Sequence, residues 1–168
     1  MARTSAEVRR QTFERAVKLL AAKPRSVAEL RERLLQRKDV TEAVVETVLS
    51  RLKEYGYLDD ERFAFSYASF KVKQRPVGRR RLARDLKFKK IASEVADEAL
   101  DVVYRETPEE QLIDKAIDKR LRLRGRPKNR AEAKSLFDHL LRQGFPFELV
   151  SDKVRALATD FTDETDVG

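Results

Sequence analysis

Six apolar positions recur three times along this chain at nearly constant spacing. Leu30, Leu82 and Leu136 correspond, as do Leu34, Leu86 and Leu140. Val40, Ile91 and Phe145 follow, then Val44, Val95 and Leu149, then Leu49, Leu100 and Val154, and last Leu52, Val103 and Leu157. The step from first to second copy is 52 residues and then 51, while the step to the third is 54 throughout. One inserted residue near Asp39 accounts for the change. A fixed long period is the mark of a repeat array. Within each copy the apolar residues return every three or four positions, which is helical spacing. The expected fold class is therefore all-α, an elongated, curved array of three tandem three-helix repeats with about nine helices. The expected divisions are 1–56, 57–106 and 107–158, followed at 159–168 by an acidic, disordered tail. A unit of about 50 residues is near the lower limit for a self-sufficient core, so neighbouring copies are expected to share apolar seams.

Local signals agree with helices. Phe13, Val17 and Leu20 mark the first. Ser26, three residues before Glu29, reads as a capping box, with Val27, Leu30 and Leu34 on one face. Thr41 precedes the stripe Val44, Val48, Leu52, and Gly56 ends that helix where a left-handed residue is wanted. Thr107 reads as an N-cap, with Pro108 at the first helical position and Glu110 closing a box. Only five Gly and five Pro among 168 residues leave little room for the turns of an all-β fold.

The stretch "YGYLDDERFAFSY" sets Asp59, Asp60 and Glu61 beside five aromatic rings. Coming just after Gly56, these acids fit a helix start: a capping aspartate accepts from free backbone N–H groups and meets the positive end of the dipole. Phe63, Tyr67 and Phe70 would then form the buried stripe. Catalysis or metal binding would need further ligands or a base. The single histidine, His139, reads as a half-buried helix residue, cysteine is absent, and no phosphate-binding glycine loop occurs. No cofactor or enzymatic role is expected. The first residues lack an apolar leader core and no run approaches membrane-spanning length, so a cytoplasmic monomer is expected.

Charge is the other strong feature. The net charge is +8, yet residues 71–90 carry +9 and residues 115–130 carry +7, leaving −8 for the rest. Such blocks point to a polyanion or an acidic protein surface. In the first block the candidates are Arg75, Arg79, Arg80, Arg81, Arg84, Lys87, Lys89 and Lys90. Gly78 stands where Ser26 caps the first copy, so the N–H groups of that helix start are expected to be open to a phosphate. In the second block, Arg120, Arg122, Arg124, Arg126, Lys128 and Arg130 alternate with Leu121, Leu123, Gly125 and Pro127, and the helix must stop near Gly125 because residues before proline avoid helical backbone.

The segments "PRSVAELRERLL", "GYLDDERFAFSY", "RPVGRRRLARDL" and "LLRQGFPFELV" together resemble the RecX family, the bacterial modulators of the RecA recombinase. The resemblance covers roughly residues 10–157. It implies a regulator that lodges in the helical groove of RecA–DNA filaments and suppresses strand exchange and ATP hydrolysis. It also implies binding to single- and double-stranded DNA with little sequence preference. The two basic blocks would then meet RecA or DNA. One departure stands out: the family commonly places glycine before the apolar residue that opens each third helix, where this chain has Asp39, Lys90 and Gly144. The competing reading is a general helical DNA-binding protein or transcriptional regulator. The acidic or neutral polar faces of "EAVVETVLSRLKEYG" and "SEVADEALDVVYRE" argue against insertion into a DNA groove. A nuclease built on Asp59 and Asp60 lacks converging ligands.

Overall fold

A computed structural model describes residues 2–158. Nine helices occupy these residues, with no strand among them: α1 Ser5–Ala22, α2 Val27–Leu35, α3 Glu42–Glu54, α4 Asp60–Gln74, α5 Arg79–Phe88, α6 Ser93–Glu106, α7 Glu109–Arg124, α8 Arg130–Arg142 and α9 Phe147–Ala158. No helix of the described residues is long and apolar enough to cross a membrane. The acidic segment 159–168 lies outside the described residues.

The chain divides into two compact units, Met1–Ser66 with Leu86–Ala96, and Tyr67–Asp85 with Asp97–Gly168. The first unit buries Ala16, Leu30, Leu34, Val45, Val48, Leu49, Leu52 and Leu58, with Phe13, Leu19 and Leu20 packed against them. The second buries Leu82, Leu100, Leu112, Ile113, Leu136, Leu140, Phe145 and Val150. The recurring leucines of the second helices are therefore interior in every copy. In the third helices Val48, Leu49, Leu52, Leu100, Val103 and Val154 are interior as expected, and only the first position of each stripe is displaced by one residue. Val44, Val95 and Leu149 are only half-buried, whereas Val45, Ala96 and Val150 are buried.

Two apolar stripes differ from expectation. In α1 the core face is Thr12 and Ala16, and Val17 is exposed. In α4 it is Ala64, Ala68 and Val72, while Phe63 and Tyr67 are half-buried and Phe70 is exposed. Both helices pack through small side chains, which let backbones approach closely, so the larger rings are displaced to the flank.

Caps explain the helix boundaries. The Ser26–Glu29 box forms in both directions, and Thr41 accepts from the Val44 N–H. Asp59 accepts from the Arg62 N–H at 3.1 Å and caps α4. Thr107 does not cap α7: Pro108 occupies the N-cap position without any side-chain hydrogen bond. The ends of α3, α5 and α8 share one geometry. The N–H groups of Tyr57, Ile91 and Phe145 reach back to the carbonyls of Leu52, Leu86 and Leu140 across residues with positive φ: Gly56, Lys90 and Gly144. Lys90 adopts φ 59° without glycine's freedom, a modest strain. Asp39 does not follow suit, since Lys90 is the only described non-glycine residue with positive φ. The inserted residue instead lets Val40 bond to Arg37 and gives α2 a different exit.

One joint is built twice. In the first unit, Asp60 at the start of α4 accepts from the Val27 N–H at 2.9 Å, and the Ser26 hydroxyl donates to the Lys89 carbonyl at 2.7 Å. In the second, Glu109 at the start of α7 accepts from the Arg79 N–H at 2.7 Å, and the Gly78 N–H donates to the Gln143 carbonyl at 2.8 Å. Each joint thus satisfies the free N–H groups of a second helix with acceptors from the following copy. Where Ser26 bridges with a side chain, Gly78 lets backbones touch: a Cβ there would sit 2.2 Å from the Gly144 carbonyl carbon.

Substitution at the two classes of glycine should separate these effects. Gly56→Ala meets open space and should cost about 1–2 kcal/mol from backbone conformation alone. Gly78→Ala and Gly144→Ala drive a Cβ into backbone and should lower the denaturation midpoint substantially more. Equal midpoints for all three would contradict the close-approach joint.

Candidate nucleic-acid interface

The cationic residues singled out by the sequence divide by what they already hold. On α5, Leu82 and Leu86 face inward and Arg80, Arg84 and Lys87 are exposed. Arg79 is engaged internally: Nη1 lies 2.6 Å from Asp101 Oδ1 and Nη2 lies 3.9 Å from Asp97 Oδ1, both on α6. Arg81 donates to Gln143 Oε1 at 2.9 Å beside Gly144. Asp85, the sole acid of α5, accepts from the Tyr67 hydroxyl at 3.2 Å.

The start of α5 is closed, contrary to expectation. Its N–H groups are taken by protein acceptors: Arg79 by Glu109, Arg80 by the Gly144 carbonyl at 3.2 Å. The sequence could not reveal this, because the acceptors lie 30 and 64 positions away. Beyond the helix, Lys89 packs over the Phe63 ring at 6.0 Å and its carbonyl serves Ser26. Lys90 pairs with Glu32. Both Lys89 and Lys90 therefore hold the first joint as well as contributing charge.

Phe88 is the residue that sequence reasoning passed over on this helix. At 89% exposure it is the most exposed large apolar side chain of the described residues, and Lys87 and Lys89 flank it in sequence. An exposed ring among cations is the composition of a base-stacking platform for single strands. The signal was available in "KFKK", since Phe88 falls off the Leu82–Leu86 face.

The second block forms the end of α7, a loop and the start of α8. The helix runs to Arg124 and stops at Gly125, φ 74°, as expected. Arg122, Arg124, Arg126, Lys128 and Arg130 are all exposed. Pro127 is buried and pins the loop, while Asn129 caps α8 through the Glu132 N–H. The Glu132 carboxylate turns back to the Lys128 N–H at 2.7 Å. Several clefts open here. One, about 430 Å³, is lined by Arg120, Arg124, Glu132 and Ser135 among others. Another, about 160 Å³, brings Arg75 together with Lys119, Arg120, His139 and Gln143. A third, about 540 Å³, lies along α7 beside Asp118, Leu121 and Arg122.

Electrostatics in this region is one-sided. Burial, Arg124 and Arg142 hold the Arg120 pKa below its ordinary value. Burial, then Arg120, Arg142 and Arg124, hold His139 below the usual imidazole range. The Tyr104 hydroxyl, bonded to the Val77 carbonyl at 2.8 Å, is pushed well up by burial and by nearby Glu109. Burial likewise raises the Glu109 carboxyl above its ordinary value, against the opposing Arg79 N–H bond. Among the described residues, no group of three or more acidic, histidine or cysteine side chains is placed to hold a metal. Asp59 and Asp60 each serve a helix start and do not form a joint centre.

The fold and its cationic surfaces define an all-α helical-repeat protein built from tandem three-helix units. Residues 13–52 match the family model described as RecX, first three-helix domain, and residues 59–100 match RecX, second three-helix domain. Over 110 residues the chain is 39% identical to the regulatory protein RecX of Treponema pallidum, covering 66% of each. Over 148 residues it is 30% identical to that of Amycolatopsis mediterranei, covering 86% of this chain and 83% of the relative. The chain belongs to the RecX family. It spans 66% of the Treponema relative and only 52% of the one from Bacillus licheniformis. The crystal structure of RecX from Lactobacillus salivarius has the same fold, with a TM-score of 0.79 at 18% identity over 92% of this chain and 99% of that one.

Because the folded-state pKa of Glu109 is raised, its carboxyl stabilises the fold more as pH falls through that value toward the unfolded value near 4.5. Glu109→Gln keeps an acceptor for the Arg79 N–H and removes the buried charge. It should flatten the rise in stability on mild acidification without lowering stability at neutral pH. Glu109→Ala leaves that donor unpaired and should cost about 1–3 kcal/mol. Denaturant titrations from pH 7.5 to 5 check both.

Proposed function

We propose that this protein is a RecX-type regulator that binds RecA–DNA filaments in their helical groove and inhibits recombinase and ATPase activity. It acts by binding and not as an enzyme, works as a cytoplasmic monomer, and contacts single- and double-stranded DNA without reading sequence. Its three tandem three-helix repeats, divided after residues 56 and 106, present the surfaces that do so. Family membership supports the regulatory role. The single observation that supports the DNA contact is the set of exposed cations Arg80, Arg84, Lys87, Arg122, Arg124 and Arg130, which make no side-chain ion pair among the described residues, unlike Arg79 with Asp101. Arg80, Arg84, Lys87, Arg122, Arg124 and Arg130 are the groups available for phosphates or carboxylates, by bidentate contact where arginine is concerned. Arg75 and Arg81 contribute from the flank, Arg126 and Lys128 from the loop.

Adding the protein to RecA assembled on single-stranded DNA should inhibit ATP hydrolysis at well below one molecule per RecA. Unchanged hydrolysis would remove the regulatory reading. Binding to bare DNA should weaken with salt at a log–log slope of about −0.7 to −0.9 per phosphate neutralised.

Arg80→Glu combined with Arg84→Glu should weaken DNA binding by at least tenfold while leaving the thermal midpoint unchanged. Arg79→Ala should instead lower the midpoint, since it breaks the tie to α6. Phe88→Ala should weaken binding to single strands and spare duplex. Fluorescence anisotropy on both DNA forms, beside thermal denaturation, separates these outcomes.

A further inference from the structure

The cleft beside His139 has a composition that neither the fold nor general DNA affinity requires. Arg75 reaches it from the end of α4, Lys119 and Arg120 from α7, and His139 and Gln143 from α8. Arg124 and Arg142 add their charge from the same two helices. The neighbouring carboxylates are committed elsewhere: Asp138 to Lys134 at 2.9 Å and Glu132 to the Lys128 N–H. Three cations, Arg75, Lys119 and Arg120, therefore line the cleft with a half-buried imidazole, no carboxylate lines it with them, and Arg124 and Arg142 act on the imidazole from nearby. Folded chains do not gain from such crowding. Like charges repel, and Arg120, the partly buried one, also gives up hydration. An arrangement of this kind is relieved by an anion. Arg120 also lines the adjoining 430 Å³ cleft together with Arg124, Ser135 and Glu132, whose carboxylate is held by the Lys128 N–H. Two clefts sharing one arginine suit successive charges of a polyanion better than a single small ion.

We infer that the paired clefts between α7 and α8 bind backbone phosphates of a nucleic-acid strand, and that His139 takes up a proton when they are filled. This rests on the DNA-binding part of the function proposed above and assigns that activity a specific anion site. Desolvation and the nearby arginines favour the neutral imidazole. A phosphate diester placed among Lys119, Arg120 and His139 brings negative charge that reverses the local field, so the imidazolium form becomes favourable. The proton comes from solvent and the phosphate ionisation is unchanged. Affinity must then rise as pH falls, because the bound state holds one proton more than the free state.

His139 is the only histidine of the chain, so its imidazole carbon-bound protons report without ambiguity in an NMR titration. The full chain is titrated from pH 8 to 5 alone, with inorganic phosphate, and with a twelve-nucleotide single strand. Total DNA affinity is followed separately by anisotropy. The expected result is a His139 midpoint that moves up with the oligonucleotide, and an anisotropy affinity that tightens several-fold between pH 7.5 and 6. Arg120→Ala should raise the midpoint of the free protein and shrink the shift caused by DNA. His139→Gln should retain binding and lose its dependence on pH in that range.

A midpoint that moves with inorganic phosphate and not with the oligonucleotide would overturn the assignment to a nucleic-acid strand and leave a free-phosphate site. A midpoint that moves with neither, while anisotropy still reports DNA binding, would overturn the site but keep the DNA-binding reading intact. Absence of DNA binding in the anisotropy arm would fail the parent reading itself.

Discussion

Helix starts need acceptors, and this fold supplies them from outside the helix. The first N–H groups of α2 and α5 have no partners within their own helices, and leaving such donors buried and unpaired costs about 1–3 kcal/mol each. In both cases the first residue of the next copy's leading helix, Asp60 or Glu109, closes one of them. The turn after the next copy's second helix closes the contact from the other side, through the Lys89 or Gln143 carbonyl. Apolar burial within each unit stabilises the helices, and these hydrogen bonds fix which helix start meets which turn. Ser26 and Gly78 are two solutions to one geometric demand, a hydroxyl spanning a gap or a bare backbone closing it.

This constraint also orders the charge. Basic residues that sit at a joint are used by the joint. Arg79 ties α5 to α6, Lys90 carries the left-handed turn and pairs with Glu32, and Lys89 lends its carbonyl. Residues one step off the joint, Arg80, Arg84 and Lys87, remain at the surface. A basic block in sequence is thus a mixture of structural and exposed cations, and the partition follows helix phase and not charge density.

Much of the architecture was legible in the residues. The recurring leucines, the capping pattern at Ser26 and Glu29, and the stop at Gly125 are local signals, and each is realised. The phase of α4 was not legible. Large rings outrank alanine on any hydrophobic scale, but close helix packing selects Ala64 and Ala68 for the interior. The closed start of α5 was equally hidden, because its acceptors come from distant positions. At the candidate site, the chain order of Arg120, Arg124, His139 and Arg142 gives no hint that they converge, since only the antiparallel return of α8 against α7 brings them together. Phe88 is the instructive intermediate, a residue passed over although its exposure follows from its place off the Leu82–Leu86 face.

The doubled joint carries a consequence for how such a chain can be cut. A fragment ending at Glu54 would contain an entire three-helix copy by sequence, yet it would lack Asp60 and Lys89, on which Val27 and Ser26 depend. For the first two copies, the smallest piece with its second-helix start provided for is longer than one repeat and borrows from its successor. Modularity in the alignment of the copies is therefore not autonomy. The copies are stitched by overlap, and removing a following repeat would leave the preceding second-helix start without its acceptors.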